Sequence, residues 1–203
     1  MDPWKGSRYT VPKACGRDFE LKKMLGAGSY GEVYNACKES DCSYAVKVIP
    51  INGGVTPDDF YEEVKISTLM GNEGVGSKVY MSWICEWKDH GGPYNLGMMF
   101  MDKLDITLFD YYLERKNKRL PIDEELLRNL FTDKVRKMVL AGYIQKDTYS
   151  SNIMLKLDPE GNIIDLFIID WGIVFPSNDK ENWRDIADKK WNAVWKSLRL
   201  ALD

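Results

Sequence analysis

The sequence predicts an α+β chain with a strand-rich first half that carries one helix and a mostly helical second half. Three observations predict it. Short apolar or alternating runs, separated by glycine or polar turns, fill most of the stretch from Phe19 to Met101. A single well-marked helix start, Thr56-Pro57-Asp58-Asp59, interrupts them. After Lys103, apolar residues begin to recur at helical spacing. A length of 203 residues is enough for one domain or two small lobes. The change of texture places the boundary near Asp102 to Asp105, which gives regions 1–102 and 103–203.

Taken in order, Phe19 to Met24, Gly31 to Cys37 and Ser43 to Ile49 read as strands. The helix that follows is expected to run to about Met70. Thr56 suits its N-cap, Pro57 its first position, and Asp58 and Asp59 the positive end of its dipole. Phe60, Val64, Ile66 and Leu69 fall on its apolar side. Two further strands are expected near Val79 to Trp87 and Tyr94 to Met101. Thr107-Leu108-Phe109-Asp110 has capping-box spacing. Pro121 is expected to open a longer helix bearing Leu127, Leu130, Phe131, Val135 and Met138. A hairpin then joins Ile153–Leu157 to Ile163–Ile169 through the turn Asp158-Pro159-Glu160-Gly161. From Asn182, a stripe of Trp183, Ala187, Trp191, Val194, Trp195, Leu198 and Leu202 reads as a helix docked on the core, with a partner-docking face as the alternative.

Apolar residues make up 44% and charged residues 29%, an ordinary globular mixture. Twenty-eight basic against 31 acidic residues leave a net charge of -3, which predicts neither nucleic acid nor an anionic membrane as partner. The N-terminal Met1-Asp2-Pro3-Trp4-Lys5 has no apolar run of the signal-peptide kind, and no window approaches the ~20 apolar residues of a membrane span. Cys37 and Cys42 flank a hairpin turn and suit a disulfide or a zinc pair, but no second pair completes a metal site. For these two with Cys15 and Cys85, reduced thiols in an intracellular compartment are expected. The single histidine, His90, sits in a turn by composition, so histidine-based catalysis is not expected.

Five motifs carry chemistry. In Gly26-Ala27-Gly28-Ser29-Tyr30-Gly31-Glu32-Val33, glycines let a strand-turn-strand backbone approach phosphates and offer them N–H groups. A dinucleotide fingerprint should open a helix, whereas this pattern runs into a β-type segment. In Tyr44-Ala45-Val46-Lys47-Val48-Ile49, a lysine in mid-strand is costly to bury unless fixed negative charge meets it; an edge-strand lysine facing solvent is the alternative. Glu63 fits the inward side of the helix better than Glu62 and supplies that charge. Asp147, with Asn152 five residues later at the entry to an apolar strand, pairs a group able to orient a hydroxyl proton with an oxygen ligand for magnesium. Asp170, closing an apolar strand before Trp171-Gly172, is a carboxylate placed to hold phosphate-bridging magnesium.

In their order and spacing these motifs resemble the eukaryotic-type protein kinase superfamily, from about Phe19 to Phe175. The resemblance implies a bilobal protein-kinase-like fold: a five-stranded N-lobe with one helix, and a reduced, mostly helical C-lobe. It implies ATP and Mg2+ as cofactors, Lys47 and Glu63 as the phosphate-binding pair, Asp147 as the catalytic aspartate, and Asn152 and Asp170 as metal ligands. Gly26, Ala27, Gly28, Ser29, Gly31, Val33 and Ala45 would line the nucleotide, with Met101 as gatekeeper and the Asp102 to Leu104 backbone against the adenine.

The pattern departs from the family in four places. Gln145-Lys146-Asp147 stands for His-Arg-Asp, Tyr149 occupies a position where serine/threonine kinases carry lysine, and Trp171 replaces a phenylalanine. Only 31 residues follow Gly172, without an Ala-Pro-Glu motif, so the resemblance implies no activation segment, no peptide-binding helices and no activation by phosphorylation of the usual type. In this the chain is similar to RIO-type kinases, to the small kinase of the KEOPS complex and, in its brevity, to small kinases of large DNA viruses. The implied function is a minimal serine/threonine protein kinase acting on a protein substrate, cytoplasmic or nuclear, in a host cell if viral. The alternatives are a pseudokinase or decoy that binds a regulatory partner, and an ATPase or small-molecule kinase.

Overall fold

The computed structural model describes residues 11, 13–28, 31–51, 54–89 and 92–200. The expectations placed on Met1 to Lys5, Ser29, Tyr30, His90 and Leu202 fall outside them. The chain divides into two units, Met1–Thr68 with Lys78–Lys103, and Leu69–Ser77 with Leu104–Asp203. The class is mixed α+β, with four helices and a five-stranded antiparallel sheet among the described residues.

The first unit is built on β1 (Glu20–Ala27), β2 (Glu32–Lys38), β3 (Asp41–Ile51), β4 (Val79–Asp89) and β5 (Gly92–Asp102), in the order β1-β2-β3-β5-β4. Alternation sets the two faces of the central strand β3. Val46 and Val48 join Tyr34, Phe19, Trp83 and Phe100 in a buried core on one face. Ala45, Lys47 and Ile49 point to the other.

Helix α1 (Pro57–Asn72) starts where the local chemistry demands. Thr56 Oγ1 accepts from Asp59 N at 3.2 Å while Asp59 Oδ2 accepts from Thr56 N at 2.9 Å. The Thr56 hydroxyl, donating to Asp59 Oδ2 at 2.7 Å, and the Thr56 N–H hold the Asp59 carboxyl below its usual range. Phe60, buried on this helix, lies directly over Gly97 of β5, where a Cβ would come within 2.5 Å of its ring. Of the other residues expected on the apolar side, Ile66 is buried, while Val64 and Leu69 are half-buried.

The cysteines correct the sequence reading. All four are paired, Cys15 with Cys85 and Cys37 with Cys42. The first pair is 70 residues apart in sequence, and only the tertiary fold brings it together. The turn before β1 packs on the β4 face, where Trp83 Nε1 donates to Cys15 O at 3.0 Å. The second pair clips the β2–β3 hairpin next to its turn. The intracellular placement rested on reduced thiols and loses that support.

The second unit contains β6 (Ile106–Thr107), α2 (Leu108–Asn117), α3 (Glu124–Leu140), β7 (Tyr143–Gln145), β8 (Ile153–Leu157), β9 (Ile163–Ile168), β10 (Val174–Pro176) and α4 (Trp183–Leu200). Its small sheets are β6-β8-β9 and β10-β7. Thr107 caps α2 as its spacing predicts, accepting from Asp110 N at 3.0 Å. Pro121 does not open α3. Asp123 does, accepting from Leu126 N at 2.9 Å, because an Asp side chain can satisfy a first-turn N–H and proline cannot. Leu127, Phe131, Val135 and Met138 are buried on α3, and Leu130 is half-buried. Lys134, a buried lysine, is satisfied by Gly74 O and Asp165 Oδ2 at 2.8 Å each.

The tryptophan stripe of α4 is consumed inside this unit. Trp191 stacks on Trp195 at 5.2 Å and meets Phe131 at 5.4 Å, while Tyr112 meets Trp195 edge-on at 5.5 Å. Among the described residues, no helix is long and apolar enough to cross a membrane.

The two disulfides are expected to stabilise unequally. Closing a loop of 70 residues restricts the unfolded chain by about 4 kcal/mol, and one of five residues by about 2 kcal/mol. Denaturant unfolding of Cys15→Ser/Cys85→Ser should therefore show the larger loss, and Cys37→Ser/Cys42→Ser the smaller.

Candidate active site

The pairing register of the first unit gathers one set of predicted residues. Val33 and Met99 lie opposite Lys47 on its two sides, and Asn35 and Met101 lie opposite Ala45. Directly paired residues point the same way, so Val33, Ala45, Lys47, Met99 and Met101 share one face. On that face Lys47 Nζ meets Glu63 Oε1 at 2.5 Å, with the two side chains only 14% and 10% exposed. Glu62 instead pairs with Lys65 at 3.1 Å in solvent.

The glycine-rich turn between β1 and β2 is closed by Gly28 N donating to Gly31 O at 2.8 Å. Gly31 has a structural reason to be glycine, since a Cβ there would sit 2.4 Å from Val48 O. A Cβ at Gly26 would meet nothing within 4 Å, and Ala27 and Gly28 are exposed.

The expected adenine-contacting segment is only partly available. Asp102 N donates to Lys78 O at 3.0 Å and Lys103 N to Ser43 O at 2.9 Å, so both amides are spent within the first unit. The Asp102 carboxylate accepts from Tyr80 OH at 2.7 Å, a bond that with burial pushes the Tyr80 phenol up to about 12. Leu104 belongs to the second unit.

In the second unit the site is organised by a residue the sequence marked only as a departure. Gln145 is fully buried at the end of β7. Its Nε2 donates to Ile169 O and to Asp170 O, both at 2.6 Å, and its Oε1 lies 3.2 Å from Thr148 Oγ1. Asp170 takes a left-handed backbone with φ of 68°, a strained choice for a residue other than glycine. Gln145 holds it from one side. On the next residue, Trp171 is buried against Gly76, where a Cβ would come within 2.9 Å of its Nε1. The result is an exposed Asp170 at the end of β9.

Asn152 stands at the start of β8, next to that strand end, and its carbonyl accepts from Ile169 N at 2.9 Å. Its Nδ2 donates to Asp147 O at 2.9 Å. Because the amide nitrogen must be the donor to a carbonyl, Oδ1 is the end left for a ligand. The Asp147 carboxylate is half-buried and makes no hydrogen bond or ion pair among the described residues. The sequence missed Lys190 of α4, whose Nζ donates to Gln145 O at 2.6 Å and to Thr148 Oγ1 at 3.0 Å. Burial pushes the Lys190 ammonium below its usual pKa, while the charge of Asp147 opposes that shift. Tyr149 is 61% exposed beside this loop.

The Asp170 carboxylate and the Asn152 amide oxygen are ligands of the kind magnesium takes, one or two to an ion whose shell phosphates and water complete. No group of three or more His, Cys, Asp or Glu side chains gathers as a metal site among the described residues. A metal held largely through phosphates needs none. The chain matches no protein-family model.

Two outcomes test these assignments of structure. Gln145→Leu leaves two strand-end carbonyls unsatisfied and should cost about 2 kcal/mol or more, whereas Gln145→His retains a donor and should cost under about 1 kcal/mol in denaturant unfolding. Gly31→Ala should destabilise by about 1–3 kcal/mol through its clash with β3, while Gly26→Ala should stay within about 0.5 kcal/mol of the original protein.

Proposed function

We propose that this chain is an ATP- and magnesium-dependent phosphotransferase with a reduced, bilobal protein-kinase-like fold, a minimal serine/threonine protein kinase. The observation that carries the reading is that hydrogen bonds join the segments bearing Asp147, Asn152 and Asp170: Gln145 Nε2 donates to Asp170 O, Asn152 Nδ2 to Asp147 O and Ile169 N to Asn152 O. The buried Lys47–Glu63 pair supports it, because a structural strand lysine gains little from burial opposite a helix carboxylate. In the proposal Lys47, oriented by Glu63, holds the α- and β-phosphates. Val33, Ala45 and Met101 offer an apolar surface to the base. Asn152 and Asp170 would hold magnesium, which would supply positive charge against that of the phosphates.

Asp147 accepts a hydrogen bond from the acceptor hydroxyl and takes its proton as the oxygen bonds to the γ-phosphorus and the bond to ADP breaks. A half-buried carboxylate with no competing partner suits that task. A protein hydroxyl is the proposed acceptor, without nucleic acid or membrane as partner. The location proposed is not intracellular by default, since paired cysteines fit an oxidising compartment.

The test is phosphate release and self-phosphorylation with magnesium-ATP under non-reducing conditions, for the original protein beside Asp147→Asn and Asp170→Ala. Turnover should fall at least about 100-fold in each variant, and Asp147→Asn should keep its nucleotide-induced rise in melting temperature. No turnover in the original protein, together with an intact thermal shift, would replace the proposal with a nucleotide-binding partner module.

A further inference from the structure

We propose that Lys190, delivered from α4, is the positioning residue for Asp147. The inference rests on the assignment of Asp147 above and deepens it. A half-buried lysine needs partners for its ammonium. Lys190 finds two, the Gln145 carbonyl at 2.6 Å and the Thr148 hydroxyl at 3.0 Å. These anchors bracket Asp147 in sequence, so the ammonium holds the Gln145 backbone on one side of the carboxylate and the Thr148 side chain on the other.

The stem of Lys190 cannot drift. It stands between Ala187 and Trp191, two buried residues of the stripe that docks α4 on α3. The loop is thereby held on one side by α4 and on the other by Asn152, whose amide bonds Asp147 O. What remains free to reach an acceptor is the Asp147 side chain. The ammonium also lies close enough for its charge and that of Asp147 to act on each other.

The test uses the full chain with Lys190→Gln, which can keep a bond to Gln145 O but loses the charge, and Lys190→Arg, which keeps charge and donors. Turnover in Lys190→Gln should fall about tenfold or more, with KM for ATP and the nucleotide-induced melting shift unchanged, and Lys190→Arg should return to within about threefold of the original. Thr148→Ala leaves the lysine in place, removes one anchor and should lower kcat several-fold in the same pattern. It decides the matter if Lys190→Gln does not fold.

Full kcat in Lys190→Gln or Thr148→Ala, or a change confined to KM, would overturn the inference, as would an arginine variant no better than glutamine. Asp147→Asn run alongside separates the two levels. If it is inactive while Lys190→Gln is fully active, only the role of Lys190 falls; if it is fully active, the role of Asp147 falls and that of Lys190 with it.

Discussion

Much of the second unit turns on one buried amide. Gln145 has no access to solvent, so each of its polar atoms must find a partner within the fold or cost about 1–3 kcal/mol. It finds them in the segments that carry the candidate chemistry, the strand-end carbonyls of Ile169 and Asp170 and the Thr148 hydroxyl. A side chain with two donors and an acceptor can join a loop to a neighbouring strand end, and an apolar residue of the same size cannot. The left-handed backbone at Asp170 depends on that joint, because an aspartate holds such a conformation only where its surroundings over-determine it. Trp171, wedged against a glycine with no room for a side chain, supplies the second constraint.

The first unit solves a different problem by register. Pairing of β3 with β2 and β5 brings Val33, Ala45, Lys47 and Met101 to one face although they are spread over 69 positions, from 33 to 101. A slip of one residue would turn Lys47 into the apolar core on the opposite face, at a cost no surface ion pair offsets. Core packing against Tyr34, Val46 and Val48 therefore fixes where the lysine points. Glu63 then meets it in an ion pair whose side chains are almost wholly covered.

What could be read from the sequence was what local chemistry decides. Thr56 with Asp59 and Thr107 with Asp110 announce their helices because a cap is formed within four residues. The strands of the large sheet, the β8–β9 hairpin and the stripe of α4 followed from period alone. Glu63 was separated from Glu62 by its phase against Ile66 and Leu69. The three-residue strands β7 and β10 left no signal, since a pairing that short has no period to detect. Pro121 misled because a proline near a helix start does not say which following residue caps it. Cys37 and Cys42 suit a disulfide by their hairpin spacing, whereas nothing near Cys15 in sequence shows that Cys85 will lie beside it. Gln145 read as a lost histidine, whereas its value lies in bonds to residues 24 and 25 positions away.

Lys190 was invisible for the same reason, and its position explains how so short a second unit holds its loop. After Asp170 the chain pairs β10 with β7 and bonds Ser177 N to Gly142 O at 2.8 Å, then enters α4 at Trp183. Helix α3 leads into β7, and α4 returns to pack its tryptophans on α3. The path from α3 through the loop, β8, β9 and β10 thus ends beside the place where it began. A lysine on the inner edge of α4 is then the residue that can reach the loop from the closing side. The helix that closes the path also bonds the loop on either side of Asp147, at Gln145 O and Thr148 Oγ1.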